Sequence, residues 1–173
     1  SVFLPPGTFL RAAAVRRQGF TGLDRVDYVP VNLETDVIGP PLVKAGFDPQ
    51  QRSVFVWMGV SMFLTAASID KTLSSLAELS SPGSWITMDY FSADHVRAGT
   101  SGMLRKERDL ASRLGEPVLF GINPPDMTTL MSSHGFCVRE NASGDQLTHR
   151  YSGNTRRSID FWLVTSAQRV TAS

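Results

Sequence analysis

The stretch that most constrains the fold is Ser53–Leu64, S-V-F-V-W-M-G-V-S-M-F-L. Its apolar run, Val54–Met58, is rich in β-branched and aromatic residues and has no polar alternation, which predicts a strand buried on both faces. Gly59 follows, where a backbone must turn or come close to another group. A helical pattern resumes near Thr65. An open α/β sheet binds its ligand at such a junction, although a plain central strand has the same pattern.

Strand and helix patterns alternate along most of the chain. The expected strands are Ser1–Leu4, Val26–Val31, Val54–Met58, Trp85–Tyr90, Phe136–Glu140 and Ile159–Ser166, with Val118–Ile122 as a strand or an extended link. The expected helices are Phe9–Gln18, a weak one over Val37–Ala45, one capped by Thr65, Met103–Leu114, and one from Pro124 to Ser133. This alternation predicts a mostly parallel sheet with helices on both faces. The last two strands, joined by a polar loop over Asn141–Ser158, can pair antiparallel.

Composition and charge exclude several classes of protein. The 173 residues fit one domain, and the net charge of +1 gives no electrostatic reason to bind nucleic acid or an anionic membrane. Cys137 is the single cysteine, so an internal disulfide and a cysteine-based metal cluster are both ruled out. A reducing cytoplasm is therefore the expected compartment. No apolar run approaches the length of a membrane span, and no signal-peptide pattern is visible.

The sequence lacks the common catalytic motifs. It has no G-x-G-x-x-G, no Walker lysine loop, no H-E-x-x-H and no G-x-S-x-G. The three histidines are scattered, and His134 fits the C-terminal end of a helix better than a catalytic base. Asp89, at the end of an expected strand, is equally well interpreted as a site residue or as the partner of a turn. Neither a catalytic residue nor a metal site can be assigned.

Five short motifs in order carry a resemblance to a known family. They are Y-V-P-V-N-L (Tyr28–Leu33), A-G-F-D (Ala45–Asp48), V-W-M-G-V-S-M-F-L (Val56–Leu64), S-S-P-G-S (Ser80–Ser84) and H-G-F (His134–Phe136). With this order and spacing the chain resembles the leucine carboxyl methyltransferase family, especially its bacterial, largely actinobacterial, branch of S-adenosylmethionine-dependent O-methyltransferases. The resemblance covers nearly the whole chain. It implies a Rossmann-like class I methyltransferase fold, an α/β sheet that is mostly parallel with an antiparallel last strand.

The resemblance also implies a cofactor, S-adenosylmethionine, and residues that bind it. Asn32 matches the position beside the adenine, where its amide oxygen can accept from the adenine amine, and Leu33 would pack near the ring. Met58 and Gly59 match the stretch that lines the cofactor site. Met58 stands where the family usually has Glu, and Phe63 stands where it usually has Tyr.

Two further departures concern the start of the chain. The family's Gly-rich first strand and loop would lie before residue 1, and the stretch that ends at Leu4 has no carboxylate for the ribose hydroxyls. We therefore expect residues 1–173 to form a single, partial methyltransferase domain, truncated at the N-terminus. Unpaired strand edges would lower its stability or cause self-association.

Two main hypotheses of function follow from the sequence. The first is an enzyme that moves a methyl group from S-adenosylmethionine to the carboxylate or hydroxyl of a small molecule, a reaction that depends mainly on holding the two reactants in line. The second is a non-catalytic remnant or binding domain that keeps the sheet and has lost the cofactor site. A nicotinamide-dependent reductase is a third possibility, but its fingerprint is absent. Neither main hypothesis requires a catalytic dyad.

Overall fold

The computed structural model of the chain describes residues 2–4, 26–98, 117–152 and 160–171. The strands are β1 (Val2–Leu4), β2 (Tyr28–Pro30), β3 (Val54–Trp57), β4 (Trp85–Phe91), β5 (Phe136–Ser143) and β6 (Trp162–Arg169). The helices are α1 (Gly39–Lys44), α2 (Ala66–Glu78), α3 (Ala93–Ala98), α4 (Pro124–Ser133) and α5 (Gly144–Ser152), with a 3-10 turn at Ser61–Phe63. The helices expected over Phe9–Gln18 and Met103–Leu114 lie outside the described residues.

The described strands form two sheets. In the larger sheet the order is β3-β4-β6-β5. Strands β3 and β4 are parallel, and β6 runs antiparallel to both of its neighbours, β4 and β5. The smaller sheet is a parallel pair, β1 and β2. The predicted Rossmann-like arrangement, in which the last strand is antiparallel, is therefore confirmed.

One apolar core connects the two sheets. Val29 and Val31, in and just after β2, belong to the same buried cluster as Phe55 and Trp57 of β3. Helix α2 contributes Ile69, Leu73 and Leu76 to this cluster. Both sheets therefore lie against one core, and residues at the carboxyl ends of β2 and β3 belong to the same buried cluster.

The prediction that Val54–Met58 is buried on both faces and central in the sheet is wrong. Among the described strands β3 pairs with β4 alone, at the end of the strand order. Phe55 and Trp57 point into the core, whereas Val54 and Val56 are 69% and 68% exposed. An all-apolar strand does not reveal from its sequence whether one face or both faces are covered. The structure leaves a valine-bearing face of β3 open to solvent.

Local signals for helix ends are confirmed. The Thr65 side chain caps α2 by accepting a hydrogen bond from the Ser68 N–H at 3.2 Å. Proline stands in the first turn of α4, and Gly135 just after that helix has φ of 73°. A backbone position with that φ strongly favours glycine, which agrees with the prediction that Gly135 ends the helix.

Other segments differ from the expectation. The polar stretch after Glu140 is not all loop, because β5 continues to Ser143 and α5 follows directly. Short helix α3 likewise lies within the polar excursion after β4. Val118–Ile122 is the extended link, and two of its N–H groups, those of Leu119 and Phe120, donate to the Met62 carbonyl. In the described part of the chain no helix is long and apolar enough to cross a bilayer.

Candidate functional site

The junction after β3 is the centre of the candidate site. The strand ends at Trp57, Met58 is 38% exposed, and Gly59 has φ of 73°. A side chain at Gly59 would meet nothing within 4 Å, so glycine is needed here for its backbone conformation, and space is open beside it. The chain then turns through the 3-10 segment into α2.

Asp89 of β4 holds this junction in place. Its Oδ1 accepts the Gly59 N–H at 2.8 Å, and its Oδ2 accepts the indole N–H of Trp162, in β6, at 2.9 Å. The Ser61 hydroxyl donates to the Asp89 main-chain carbonyl. One residue therefore connects three separate segments, namely the junction, β4 and β6. Asp89 is neither at the strand end nor a local turn partner, and it touches the predicted site through Gly59.

The environment of Asp89 affects its titration. The side chain is buried, with 3% of the residue exposed. Burial disfavours the charged form and raises the pKa of the carboxyl above its usual value, although the hydrogen bonds from Trp162 and Gly59 act in the opposite direction. Burial is the larger effect. The Asp89 carboxyl that fixes the junction therefore lies in an environment that disfavours its ionised form.

The loop after β2 places Asn32 and Leu33. Asn32 is half-buried, and its Oδ1 accepts the Glu34 N–H at 3.0 Å. The Asn32 N–H donates to Asp36 Oδ2 at 2.8 Å, and that bond lowers the pKa of the Asp36 carboxyl. One lone pair of the Asn32 amide oxygen is therefore already used within the loop. The second remains for another donor, since an amide oxygen has two.

Glu34 connects this loop to the start of α2. Its carboxylate accepts from the Ser68 hydroxyl at 2.6 Å and from the Thr65 N–H at 3.2 Å. The hydrogen bond from Ser68 is the main reason that the pKa of Glu34 is lowered. The Lys71 ammonium donates to the Glu34 carbonyl at 3.1 Å. These bonds join the loop after β2 to the helix that follows the junction.

The predicted site residues therefore lie on two segments that the structure connects. Leu33 packs against the core cluster that contains Trp57, and Gly59 is fixed by Asp89. Met58 is exposed beside them and offers only a weak acceptor sulfur. Among the described residues, no group of three histidine, cysteine, aspartate or glutamate side chains could hold a metal ion.

Sequence reasoning missed the bond between Asp89 and Trp162. The signal for it was weak but present, because Asp89 is the one carboxylate in W-I-T-M-D-Y-F and a buried indole N–H needs an acceptor. The two residues are 73 positions apart, so no local pattern joins them. Their contact depends on the antiparallel pairing of β4 with β6.

Part of the sequence matches the model of a known protein family. Residues 5–77 match the model described as leucine carboxyl methyltransferase, a range that contains β2, the loop with Asn32 and Leu33, the junction and most of α2. Over this part of its length the chain is therefore similar to the leucine carboxyl methyltransferase family.

Two curated proteins are similar to the chain as well. The chain is 28% identical over 125 residues to a "Putative S-adenosyl-L-methionine-dependent methyltransferase" of Mycobacteroides abscessus, covering 65% of this chain and 40% of that protein. It is 26% identical over 133 residues to a protein of Bacillus subtilis with the same description and the name YktD, covering 76% of this chain and 43% of that protein. The chain thus spans less than half the length of these relatives.

Solved structures show the same fold. An O-methyltransferase family protein from Burkholderia thailandensis matches with a TM-score of 0.60 and 16% identity, covering 99% of this chain and 43% of that one. Human N-acetylserotonin methyltransferase, solved in complex with SAM, matches with a TM-score of 0.56 and 15% identity, covering 98% and 40%. At such identities the likeness shows the fold alone, a Rossmann-like methyltransferase fold.

The raised pKa of Asp89 gives a prediction about stability and pH. A raised folded-state pKa means that the stabilisation from this group is complete below its unfolded pKa, roughly 4, and is lost as pH rises through the folded value. Asp89→Asn removes this titration. We expect the wild type's stability relative to Asp89→Asn to fall as pH rises from about 4 towards neutrality, measured by urea unfolding.

Asp94→Asn is the matched control, because Asp94 is exposed and its pKa is lowered, mainly by the Arg97 guanidinium. Its stabilising contribution should be present above its unfolded pKa and decline in stronger acid. If the wild type instead gained stability over Asp89→Asn through the same rise in pH, the interpretation of Asp89 as a burial-dominated carboxyl would be contradicted.

Proposed function

We propose that the protein transfers a methyl group from S-adenosylmethionine to an oxygen, the carboxylate or hydroxyl of a small molecule. The observation that carries the proposal is the connected pair of strand-end segments, Asn32–Leu33 and Met58–Gly59, in the region matched by the family model. In open α/β sheets, ligands bind outside the carboxyl ends of the strands. The names of the curated relatives support the same cofactor.

The residues at this site fit a nucleoside better than they fit the charged end of the cofactor. Leu33 offers apolar cover for a ring, and the Asn32 oxygen keeps one free lone pair. Open space lies beside Gly59. Met58 cannot accept a strong hydrogen bond from an ammonium or hydroxyl group. When bound, S-adenosylmethionine would supply an already reactive methyl group, and the chain's own residues would hold and orient it.

The presence of Met58 where the family usually has Glu favours a second candidate function. A chain with Met58 in place of an acceptor suits a remnant or binding domain with the methyltransferase fold and little affinity for the cofactor. The two functions differ in measurable affinity, because one hydrogen bond to a charged group contributes about 1.5–3 kcal/mol. A small molecule that receives the methyl group is a partner of the enzyme and not of the remnant or binding domain.

The cofactor proposal gives a prediction for Met58. We expect S-adenosylhomocysteine to bind the wild type very weakly, and Met58→Glu to strengthen binding by about tenfold to a hundredfold through the added acceptor. Isothermal titration calorimetry measures both. The double variant Leu4→Glu plus Met58→Glu should bind more tightly still, because Leu4 ends β1, which pairs with β2, and the family resemblance implies a carboxylate at this point for the ribose hydroxyls.

Val43→Glu is the matched control, since it adds the same charge at an exposed position of α1. It should leave the affinity unchanged. Tight binding by the wild type would refute the remnant and support the enzyme. If neither Glu variant gained affinity, the assignment of the site to these positions would be wrong.

We also propose that the chain associates with itself through β3 and that it works in the cytoplasm. The cytoplasmic proposal depends on Cys137 being a free thiol, as suits a reducing compartment. Self-association is supported by the open valine face at one end of the described strand order. Val54–Trp57 contains no charge or proline, the residues that usually prevent edge pairing.

Charged substitutions test the self-association. We expect Val54→Lys and Val56→Lys to lower the association constant, because a lysine on an open edge opposes strand pairing and desolvation. Sedimentation velocity over a range of protein concentrations is the measurement. Val43→Lys, which alters an exposed valine on a helix, should have no effect. A wild type that remains monomeric at all concentrations would exclude the proposal.

A further inference from the structure

A second apolar cluster lies at the same end of the larger sheet as the junction. Its buried members come from the 3-10 turn, from the end of β4 and from the residue before β6, namely Met62, Phe91 and Phe161. The Phe91 and Phe161 rings meet edge to face, with their centroids 5.5 Å apart. Three partly buried side chains, which we call the aromatic corner, pack against this cluster: Phe63, Val96 and Trp162. Part of their apolar surface therefore remains open to solvent.

The indole of Trp162 connects the aromatic corner to the junction. Its N–H donates to Asp89 Oδ2 at 2.9 Å, and the other oxygen of the same carboxylate accepts the Gly59 N–H at 2.8 Å. Because both donors bond to one carboxylate, the nitrogen edge of the indole and the Gly59 backbone are close neighbours. A side chain at Gly59 would meet nothing within 4 Å. The corner thus adjoins the open side of the junction, and a hydrogen bond fixes the orientation of its largest ring.

The charges near the aromatic corner favour a neutral ligand. Helix α3, which contributes the valine of the corner, carries two basic side chains, and each faces an aspartate. His95 Nε2 lies 3.4 Å from Asp160 Oδ2, and the Arg97 guanidinium pairs with Asp94. A carboxylate that enters from the junction would meet the Asp89 side chain and would find both of these basic groups already paired. A neutral hydroxyl avoids the cost of placing such a charge there.

We propose that the aromatic corner is the subsite for the small molecule that receives the methyl group, and that this molecule is an uncharged aromatic hydroxyl compound, a phenol, and not a carboxylate. The inference rests on the proposed function, which places the cofactor at the adjoining junction. On transfer, the phenol oxygen would bond to the methyl carbon, the electron pair of the carbon–sulfur bond would stay on sulfur, and the hydroxyl proton would leave to water.

Nuclear magnetic resonance can observe the corner without any cofactor. The chain has three tryptophans and therefore three indole N–H signals in a ¹H–¹⁵N spectrum. Trp162→Phe and Trp85→Phe identify two of them by their loss. Trp162 pairs with Phe91 at one end of β4, whereas Trp85 pairs with Gln168 at the other end, so Trp85 is an internal control. On titration of the wild type with para-ethylphenol, we expect the Trp162 signal to move and the Trp85 signal to move little. A Trp162 signal that stays in place up to the solubility limit of the phenol overturns the proposal.

Two compounds of matched shape test the chemical class. Saturated para-ethylcyclohexanol should bind roughly twofold to tenfold more weakly than para-ethylphenol, because stacked or edge-to-face rings contribute beyond their buried area. The carboxylate para-ethylbenzoate should also bind more weakly than the phenol. Equal affinity for the saturated alcohol would contradict the aromatic assignment, and tighter binding of the benzoate would contradict the choice of a hydroxyl.

A conservative substitution tests the corner independently of the bond between Trp162 and Asp89. Phe63→Leu keeps an apolar side chain and removes the ring. It should weaken the binding of para-ethylphenol by roughly twofold to tenfold and change that of para-ethylcyclohexanol little. Phe47→Leu is the matched control, since Phe47 is a partly buried phenylalanine of the other cluster, and it should change neither. Equal weakening of both compounds by Phe63→Leu, or of neither, would contradict recognition of the ring by the corner.

The outcomes separate this inference from the proposed function. If S-adenosylhomocysteine binds the chain and para-ethylphenol leaves the Trp162 signal in place, the cofactor site stands and the phenol subsite is wrong. If the phenol moves the Trp162 signal and S-adenosylhomocysteine does not bind, the aromatic subsite stands, whereas the proposed transfer fails and the role of the subsite in it fails too.

Discussion

The Asp89 carboxylate is the interaction on which the candidate site depends. Its two oxygens bond to Gly59 in the junction and to Trp162 in the antiparallel last strand, 30 and 73 positions away in sequence. A carboxylate buried among apolar residues is unfavourable on its own, and two N–H donors offset part of that penalty. The arrangement fixes the backbone at Gly59, where a positive φ already limits the choice of residue. Removing the carboxylate would free the junction, β4 and β6 from one another at this point.

A second connection brings the other half of the site to the junction. The Glu34 carboxylate bonds to Thr65 and Ser68 in the first turn of α2, where the helix leaves N–H groups unpaired and favours negative charge. The loop that carries Asn32 and Leu33 is thereby held against the helix that follows Gly59. Neither connection involves residues that are neighbours in sequence. The site is therefore a product of the fold, assembled from short segments at strand ends.

The sequence was informative where the signal is local. Thr65 as a cap, proline in the first turn of α4 and Gly135 as a stop depend on a few adjacent residues, and the structure has each of them. The sequence failed where burial is decided by distant segments. Val54 and Val56 have the composition of a fully buried strand, yet their face is open because coverage depends on which elements pack there. The pairing of Asp89 with Trp162 was missed for the same reason, because the antiparallel pairing of β4 with β6 is what brings the two residues together.

Amide hydrogen exchange at Gly59 tests the role of Asp89 most directly. If the carboxylate fixes the junction, the Gly59 N–H should exchange slowly in the wild type and rapidly in Asp89→Ala. The Trp85 N–H, which donates to the Ser53 carbonyl at 2.8 Å, should remain equally protected in both proteins and so report that the fold is intact. A Gly59 N–H that exchanges in the wild type as fast as an unstructured amide would contradict the account.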